Sequence, residues 1–280
     1  MGRFNGKSVI VTGSSNGIGA VTALQFAKEG AQVTITGRKV ENLEKLHGEM
    51  VKSGTPASNI HIVVGDITNV DVQKKIIEET VSKFGKLDIL VNNAGAAFGD
   101  DKYQGTSSPD SMNLLEKNLD LNLKSVMSIT NIAKPHLIAT KGEVVNISSI
   151  ASLNFGSLWH SYYCIAKAAL DQLTRALALE LIAQGVRVNS VNPGVVATNF
   201  LSATGIPDEA SKKIYDYVAT QRKAFPADRV GAPDDIASVI LFLADRKASY
   251  YIVGQTIIAD GGSSIVMGMH LIDMQAAFSQ

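Results

Sequence analysis

The sequence predicts an α/β fold, a doubly wound, seven-stranded parallel sheet with helices on both faces. Three observations lead there: short runs rich in β-branched residues alternate with segments of helical period, the connections between them are short, and glycines crowd the first strand-to-helix junction. Ser8 to Thr12 reads as the first strand, and Ala20 to Gly30 as an amphipathic helix after it. The strand pattern returns at Gln32 to Thr36, Ile60 to Val64, Leu87 to Val91, Glu143 to Ile147, Arg187 to Asn192 and Thr256 to Ala259. A long helix is expected from about Tyr162 to Gln184. Crossovers of one hand would gather the loops after the strands on one edge of the sheet, at the switch point where such sheets bind ligands.

Two segments fit this alternation poorly. Residues 99–110 are polar and loop-like, whereas residues 199–229 are rich in Ala, Tyr, Lys and Pro. No repeat or low-complexity tract interrupts the chain and its seven prolines are scattered, so residues 1–280 are expected to form one domain. The stretch 263–280 is unusually apolar for a tail and is expected to pack at a subunit interface or beside a pocket.

The formal net charge is zero, from 26 basic and 26 acidic residues, which leaves no electrostatic footprint for nucleic acid or an anionic membrane. Small-molecule partners are expected instead. No run is long and apolar enough to span a membrane and no secretory leader is visible, so a cytoplasmic location is expected. The single cysteine, Cys164, has no intramolecular disulfide partner and reads as a packing residue in a reducing compartment. Histidines at 47, 61, 136, 160 and 270 show no metal-ligand spacing, and His160 reads as a surface or packing residue.

Two motifs carry chemistry. In Gly13-Ser14-Ser15-Asn16-Gly17-Ile18-Gly19 the glycines permit a tight turn and close approach of a ligand, and the helix that follows offers free N–H groups to phosphate. The spacing Gly-x-x-x-Gly-x-Gly is neither the common dinucleotide fingerprint nor a Walker loop, and a purely structural turn would look the same. Tyr163 and Lys167 stand four residues apart on one helical face. An ammonium beside a phenol stabilises the phenolate and would draw the tyrosine toward a working pKa; a half-exposed Tyr beside a solvated Lys is the alternative.

Read with Asn92-Asn93-Ala94-Gly95, Asn122 in Leu121-Asn122-Leu123, Ser149 closing Val144-Val145-Asn146-Ile147-Ser148-Ser149, and Pro193-Gly194, these motifs resemble the short-chain dehydrogenase/reductase family over nearly the whole chain. The likeness is to its single-domain Rossmann branch, nearest the tropinone-reductase-like and carbonyl-reductase-like members. It implies Tyr163 as general acid/base, Ser149 on the substrate oxygen, Lys167 on the nicotinamide ribose, and Asn122 ordering a water. Ser149 precedes Tyr163 by fourteen residues where thirteen is commoner in the family, which leaves Ser148 as the alternative. The likeness also implies a cofactor cradle of Gly13, Ser15, Asn16, Gly17, Ile18, Gly19, Asn93, Ala94, Gly95, Pro193, Gly194, Val196 and Thr198, a mobile substrate cover at 199–229, and a homo-oligomer, with a tetramer favoured.

Cofactor choice is read at Thr36-Gly37-Arg38-Lys39, where no acidic residue stands to accept the ribose hydroxyls of NAD. Arg38 suits the 2'-phosphate of NADP(H). Asp66 matches a family residue on the adenine amino group, or else caps the helix after Thr68. The expected reaction is NADPH-dependent interconversion of a ketone or aldehyde and an alcohol on a small to medium apolar substrate. Phe98, Tyr103, Phe155, Trp159, Phe200, Tyr215, Tyr217 and Phe225 lie in segments able to border its pocket, although half of them or more would serve as core. A 3-ketoacyl thioester reductase and a non-catalytic NADP sensor are the alternatives.

Overall fold

The computed structural model describes residues 2–100, 102–154, 156–203 and 206–266. Phe155, His270 and most of the apolar tail lie outside them. The chain alternates β1 (Ser8–Val11), α1 (Gly17–Lys28), β2 (Gln32–Gly37), α2 (Val40–Lys52), β3 (Ile60–Val64), α3 (Val70–Phe84) and β4 (Ile89–Asn92). Then α4 (Ser111–Leu119) runs through a π turn at Asp120–Lys124 into α5 (Ser125–Thr140), followed by β5 (Glu143–Ile147), α6 (Ser161–Ile182) and β6 (Arg187–Pro193). The last part holds α7 (Phe200–Ala203), α8 (Asp208–Thr220), α9 (Pro233–Ala244), α10 (Arg246–Ser249) and β7 (Thr256–Ala259).

All seven expected strands form, in the order β3-β2-β1-β4-β5-β6-β7, and every pairing is parallel. Strand side chains alternate between two cores, as the pleat requires. Val9, Val11, Val33 and Val91 pack with Phe26 of α1, Leu43 of α2 and Ile240 of α9, whereas Ile10, Leu90 and Val144 pack with Ile76 of α3, Ile129 of α5 and Leu181 of α6. Because β1 sits between β2 and β4, the chain winds outward in both directions from that pair, and a crevice opens beyond their carboxyl ends.

A chain of buried amides and hydroxyls links the central strands to the helices across this apolar sandwich. The Asn92 amide donates to Thr130 Oγ1 at 3.1 Å and to Asn146 Oδ1 at 2.9 Å, and the Asn146 amide donates to Thr174 Oγ1 at 2.9 Å. Two strands and the helices α5 and α6 are thereby held in one register. At the opposite edge the buried Arg187 donates to the carbonyls of Ser249, Ile252 and Leu243 and meets Glu143 at 2.9 Å, while Arg246 takes the other Glu143 oxygen at 2.6 Å. Burial drives the Glu143 carboxyl up to about 7 against the pull of both arginines. Glu143→Ala would leave Arg187 buried without its counter-charge, so chemical denaturation should show a loss of about 3–5 kcal/mol.

Candidate active site

The turn between β1 and α1 is shaped by contacts no side chain would survive. Gly13 has φ +64°, and a Cβ there would lie 2.7 Å from Ala94 Cα; a Cβ on Gly19 would lie 2.3 Å from Asn93 Nδ2. The loop after β4 is laced to this turn: Asn93 N and Ala94 N donate to Thr12 Oγ1 at 3.0 and 3.1 Å, and Asn93 Nδ2 donates to the carbonyls of Thr12 and Gly13. Asn16, at the N-cap of α1, gives its side chain to no capping hydrogen bond, and the first turn carries no acidic residue. The positive end of α1 is left for an anion.

A cavity of about 1500 Å³ runs from this turn across the ends of β4, β5 and β6. It is lined by Gly13, Ser15, Asn16, Gly17, Ile18, Arg38, Asp66, Asn93, Ala94, Gly95, Ser149, Tyr163, Lys167, Pro193, Gly194, Val196 and Thr198. Gly19 and Asn122 alone of the expected site residues lie behind the wall. Asn122 is fully buried in the π turn, where its amide donates to Ala96 O at 2.9 Å and Asn118 O at 3.0 Å and its Oδ1 has no partner among the described residues. A Cβ on Gly95 would sit 2.9 Å from that oxygen and 3.4 Å from Lys167 Nζ. The π turn, for which the sequence offers no signal, widens the helix at this residue.

Ser149, rather than Ser148, reaches Tyr163. Its Oγ caps the short turn Ile150–Ser152 by accepting from Ala151 N at 3.1 Å, and it stands near enough to the Tyr163 phenol to pull its pKa down. Ser148 is buried, its hydroxyl given to Lys167 O at 3.3 Å. Lys167 donates to Ile147 O at 2.7 Å, and its Nζ lies 5.5 Å from the centre of the Tyr163 ring. Burial lowers the Lys167 ammonium to about 8, opposed by the charge of Asp171. Burial raises the Tyr163 phenol above its ordinary value, Ser149 pulling it back and Cys164 adding slightly. Burial is the largest influence on the phenol and raises it, while the Lys167 ammonium is held by a strand carbonyl.

Beyond the glycine turn Arg38 and Asp66 face each other at 4.0 Å, both largely exposed, a pair worth little in water. Asp66 feels burial, which raises it, but accepts from Thr68 N and Oγ1 and meets the Arg38 charge, and the net effect is downward. The N-cap of α3 is Asn69, so capping is not the task of Asp66. A Cβ on Gly37 would lie 3.0 Å from Ser15 Oγ, so a side chain there would press Ser15 aside.

Of the aromatic residues, Phe98, Phe200, Tyr215 and Phe225 line the cavity. Tyr103, Trp159 and Tyr217 do not; they are 46%, 69% and 66% exposed and belong to the surface rather than to pocket or core. His160, read as a surface or packing residue, lines the cavity half-buried, and burial lowers its pKa. Cys164 lines it one turn on, its thiol raised by burial and so a poor nucleophile. The Tyr215 hydroxyl donates to Thr198 O at 3.2 Å, tying α8 to the loop after β6.

A parallel doubly wound sheet with a glycine-rich first turn, a Ser just after β5 and a Tyr and Lys on α6 is a nucleotide-binding oxidoreductase architecture, and comparison with known proteins agrees. The family model for enoyl-(acyl carrier protein) reductase matches residues 13–264. The chain is 36% identical to meso-2,3-butanediol dehydrogenase of Serratia marcescens over 94% of its length and 96% of that protein. A short-chain dehydrogenase/reductase of unknown function from Caenorhabditis elegans, solved with cofactor, superposes with a TM-score of 0.94 at 50% identity, covering 97% of this chain and all of that one. Glucose dehydrogenase of Caenorhabditis elegans in its apo form superposes at 0.78 with 47% identity, over 94% of this chain and 100% of the other. The protein belongs to the short-chain dehydrogenase/reductase family and is an oxidoreductase of that family.

The closeness of β1 to the β4 loop makes a direct prediction. Gly19→Ala drives a methyl into Asn93 and should cost about 1–3 kcal/mol of stability by overpacking, with nicotinamide cofactor affinity falling as the turn shifts; thermal melting and a fluorescence titration would measure both.

Proposed function

We propose that the protein is an NADPH-dependent reductase that interconverts a ketone or aldehyde and an alcohol on a small to medium substrate of apolar character. The observation that carries the reading is the convergence of Ser149, Tyr163 and Lys167 on a cavity whose other end is the glycine turn and Arg38. When bound, the nicotinamide supplies the hydride that adds to the carbonyl carbon. Tyr163 gives its proton to the carbonyl oxygen, and Ser149 donates a hydrogen bond to that oxygen as negative charge develops. Lys167 holds the ribose end and the positive field under the tyrosine. Asn122, with its unpartnered oxygen behind Gly95, is suited to hold a water that leads protons toward Lys167. In the oxidative direction each transfer reverses.

The first helix turn with Gly13 and Gly17 would hold the diphosphate, Thr198 would stand near the carboxamide, and Arg38 would take the 2'-phosphate, replacing its weak partner Asp66. The cover over the substrate is assigned to α7 and α8, from which Phe200 brings its ring within 5.7 Å of Tyr163. With Phe98, Tyr215 and Phe225 it makes the substrate end largely apolar. The free Cys164 fits a reducing compartment such as the cytoplasm, and the apolar tail is the ground for a homo-oligomer, with a tetramer favoured; sedimentation of a monomer at micromolar concentration would count against that assembly. Among the described residues no helix is long and apolar enough to cross a membrane.

NADPH consumption with a panel of ketones, quinones and ketoacyl thioesters tests the activity. Tyr163→Phe should bind cofactor but lose at least about a hundredfold in turnover, the scale of general acid catalysis. Tyr162→Phe should change little, because the Tyr162 hydroxyl is buried away from the cavity without a partner among the described residues. Unimpaired turnover by Tyr163→Phe would refute the mechanism.

NADPH should be preferred over NADH by at least about tenfold, equivalent to about 1.4 kcal/mol. Arg38→Asp should invert that preference, and equal kcat/KM values for the two cofactors in the unaltered protein would refute the assignment.

A further inference from the structure

Beside Ser149 in the lining of the cavity stands a carboxylate for which the reaction above has no task. Asp171 follows Lys167 by one turn of α6 and is 5% exposed. Its Oδ2 accepts from the Asn192 amide at 2.9 Å, and its Oδ1 is buried with no partner among the described residues. A carboxylate removed from water and served by one neutral donor is expensive unless an opposite charge stands near. Lys167, four residues earlier on the same helical face, is the opposite charge that interacts with it, from beyond ion-pair distance.

The Asn192 amide continues the chain. It donates to Ser152 Oγ at 2.8 Å and approaches Ser149 O at 3.2 Å, and the Ser152 hydroxyl donates to Ser149 O at 2.7 Å. Asn192 is itself fully buried in β6, its Oδ1 accepting from Ser190 Oγ at 3.1 Å. The turn that presents Ser149 is thus fastened from below to α6, at the residue one turn beyond Lys167.

We propose that Asp171 is a positioning residue of the active site, holding the Ser149 turn through Asn192 and keeping the Lys167 side chain in its charged form from one turn along α6. Of the other titratable groups, Tyr163 faces Lys167 from the same helix, and Cys164 lies a turn before the pair. Arg175, a turn beyond Asp171, is exposed with its Nε given to Gln172 at 3.0 Å. Lys117 and Asp120 line the same cavity, Asp120 paired with Lys124 at 2.9 Å. The groups that the β4 loop, the π turn, β5 and β6 bring to the pair, Gly95, Asn122, the Ile147 carbonyl, Ser148 and Asn192, carry no charge. Asp171 is therefore the anion placed to offset the buried ammonium.

The two effects separate by mutation. Asp171→Asn keeps an oxygen for the Asn192 amide and removes the charge; Asn192→Ala keeps the charge and cuts the fastening. NADPH affinity is followed by fluorescence from pH 6 to 10, a range set by the Lys167 value of about 8, and kcat and KM are measured with a ketone the protein accepts. Asp171→Asn should move the alkaline midpoint of NADPH affinity down by at least about half a pH unit, because the lysine then loses its proton more readily. Asn192→Ala should leave that midpoint in place and lower kcat by about tenfold, as a displaced Ser149 would. A merely structural role moves melting temperature alone.

An unmoved midpoint in Asp171→Asn, or a parental kcat in Asn192→Ala, overturns the proposal. If Asp171→Asn does not fold, the kcat of Asn192→Ala decides. The inference rests on the carbonyl-reducing reading, yet the two fail separately: a parent that binds NADPH and reduces no carbonyl compound overturns that reading, while the affinity midpoint, measured without substrate, still decides this one.

Discussion

A buried ammonium organises this molecule. Removing a lysine from water costs several kcal/mol unless its donors are met, and Lys167 meets that cost at the carboxyl end of β5, on the Ile147 carbonyl. That bond fixes where α6 crosses the sheet. Tyr163 one turn before and Asp171 one turn after are then set by helix geometry alone, and Ser149, two residues past Ile147 in the chain, is brought within reach of the phenol. The same burial that holds the lysine in place lowers its pKa and raises the tyrosine's.

The second constraint is close approach of backbone. The β1 turn and the β4 loop touch because Gly13 and Gly19 carry no Cβ and because Thr12 Oγ1 accepts two amides from the neighbouring loop. The free end of α1 is thereby aimed along the crevice between the halves of the sheet. The buried Asn92, Asn146 and Thr174 chain holds the central strands in register beneath it. Stability and site share these residues, so substitutions there would act on both.

Much of this was legible in the chain. A strand buried on both faces must be a continuous apolar run, and helices must switch to the longer period, so all seven strands could be found to within two residues at either end. Gly13, Gly17, Tyr163 and Lys167 could be picked out because their chemistry depends on spacing within one element or one turn. Less visible were relations between elements. The π turn at Asn122 lies at the junction of α4 and α5, and the Asn192 to Asp171 bond joins residues 21 apart that no local pattern connects. Buried polar residues in the strand Arg187–Pro193 and an acid on the inner face of a helix were the only hints.

The sequence by itself determined the order of strands and helices, the glycine turn, and the helical face shared by Tyr163 and Lys167, because each follows from steric and periodic rules acting over a few residues. Tertiary structure alone decided which serine meets the phenol, which aromatic side chains enter the cavity, and which way burial moves the two titratable groups. Those depend on distances across the fold and on exclusion of water, which exist only once the layers have closed.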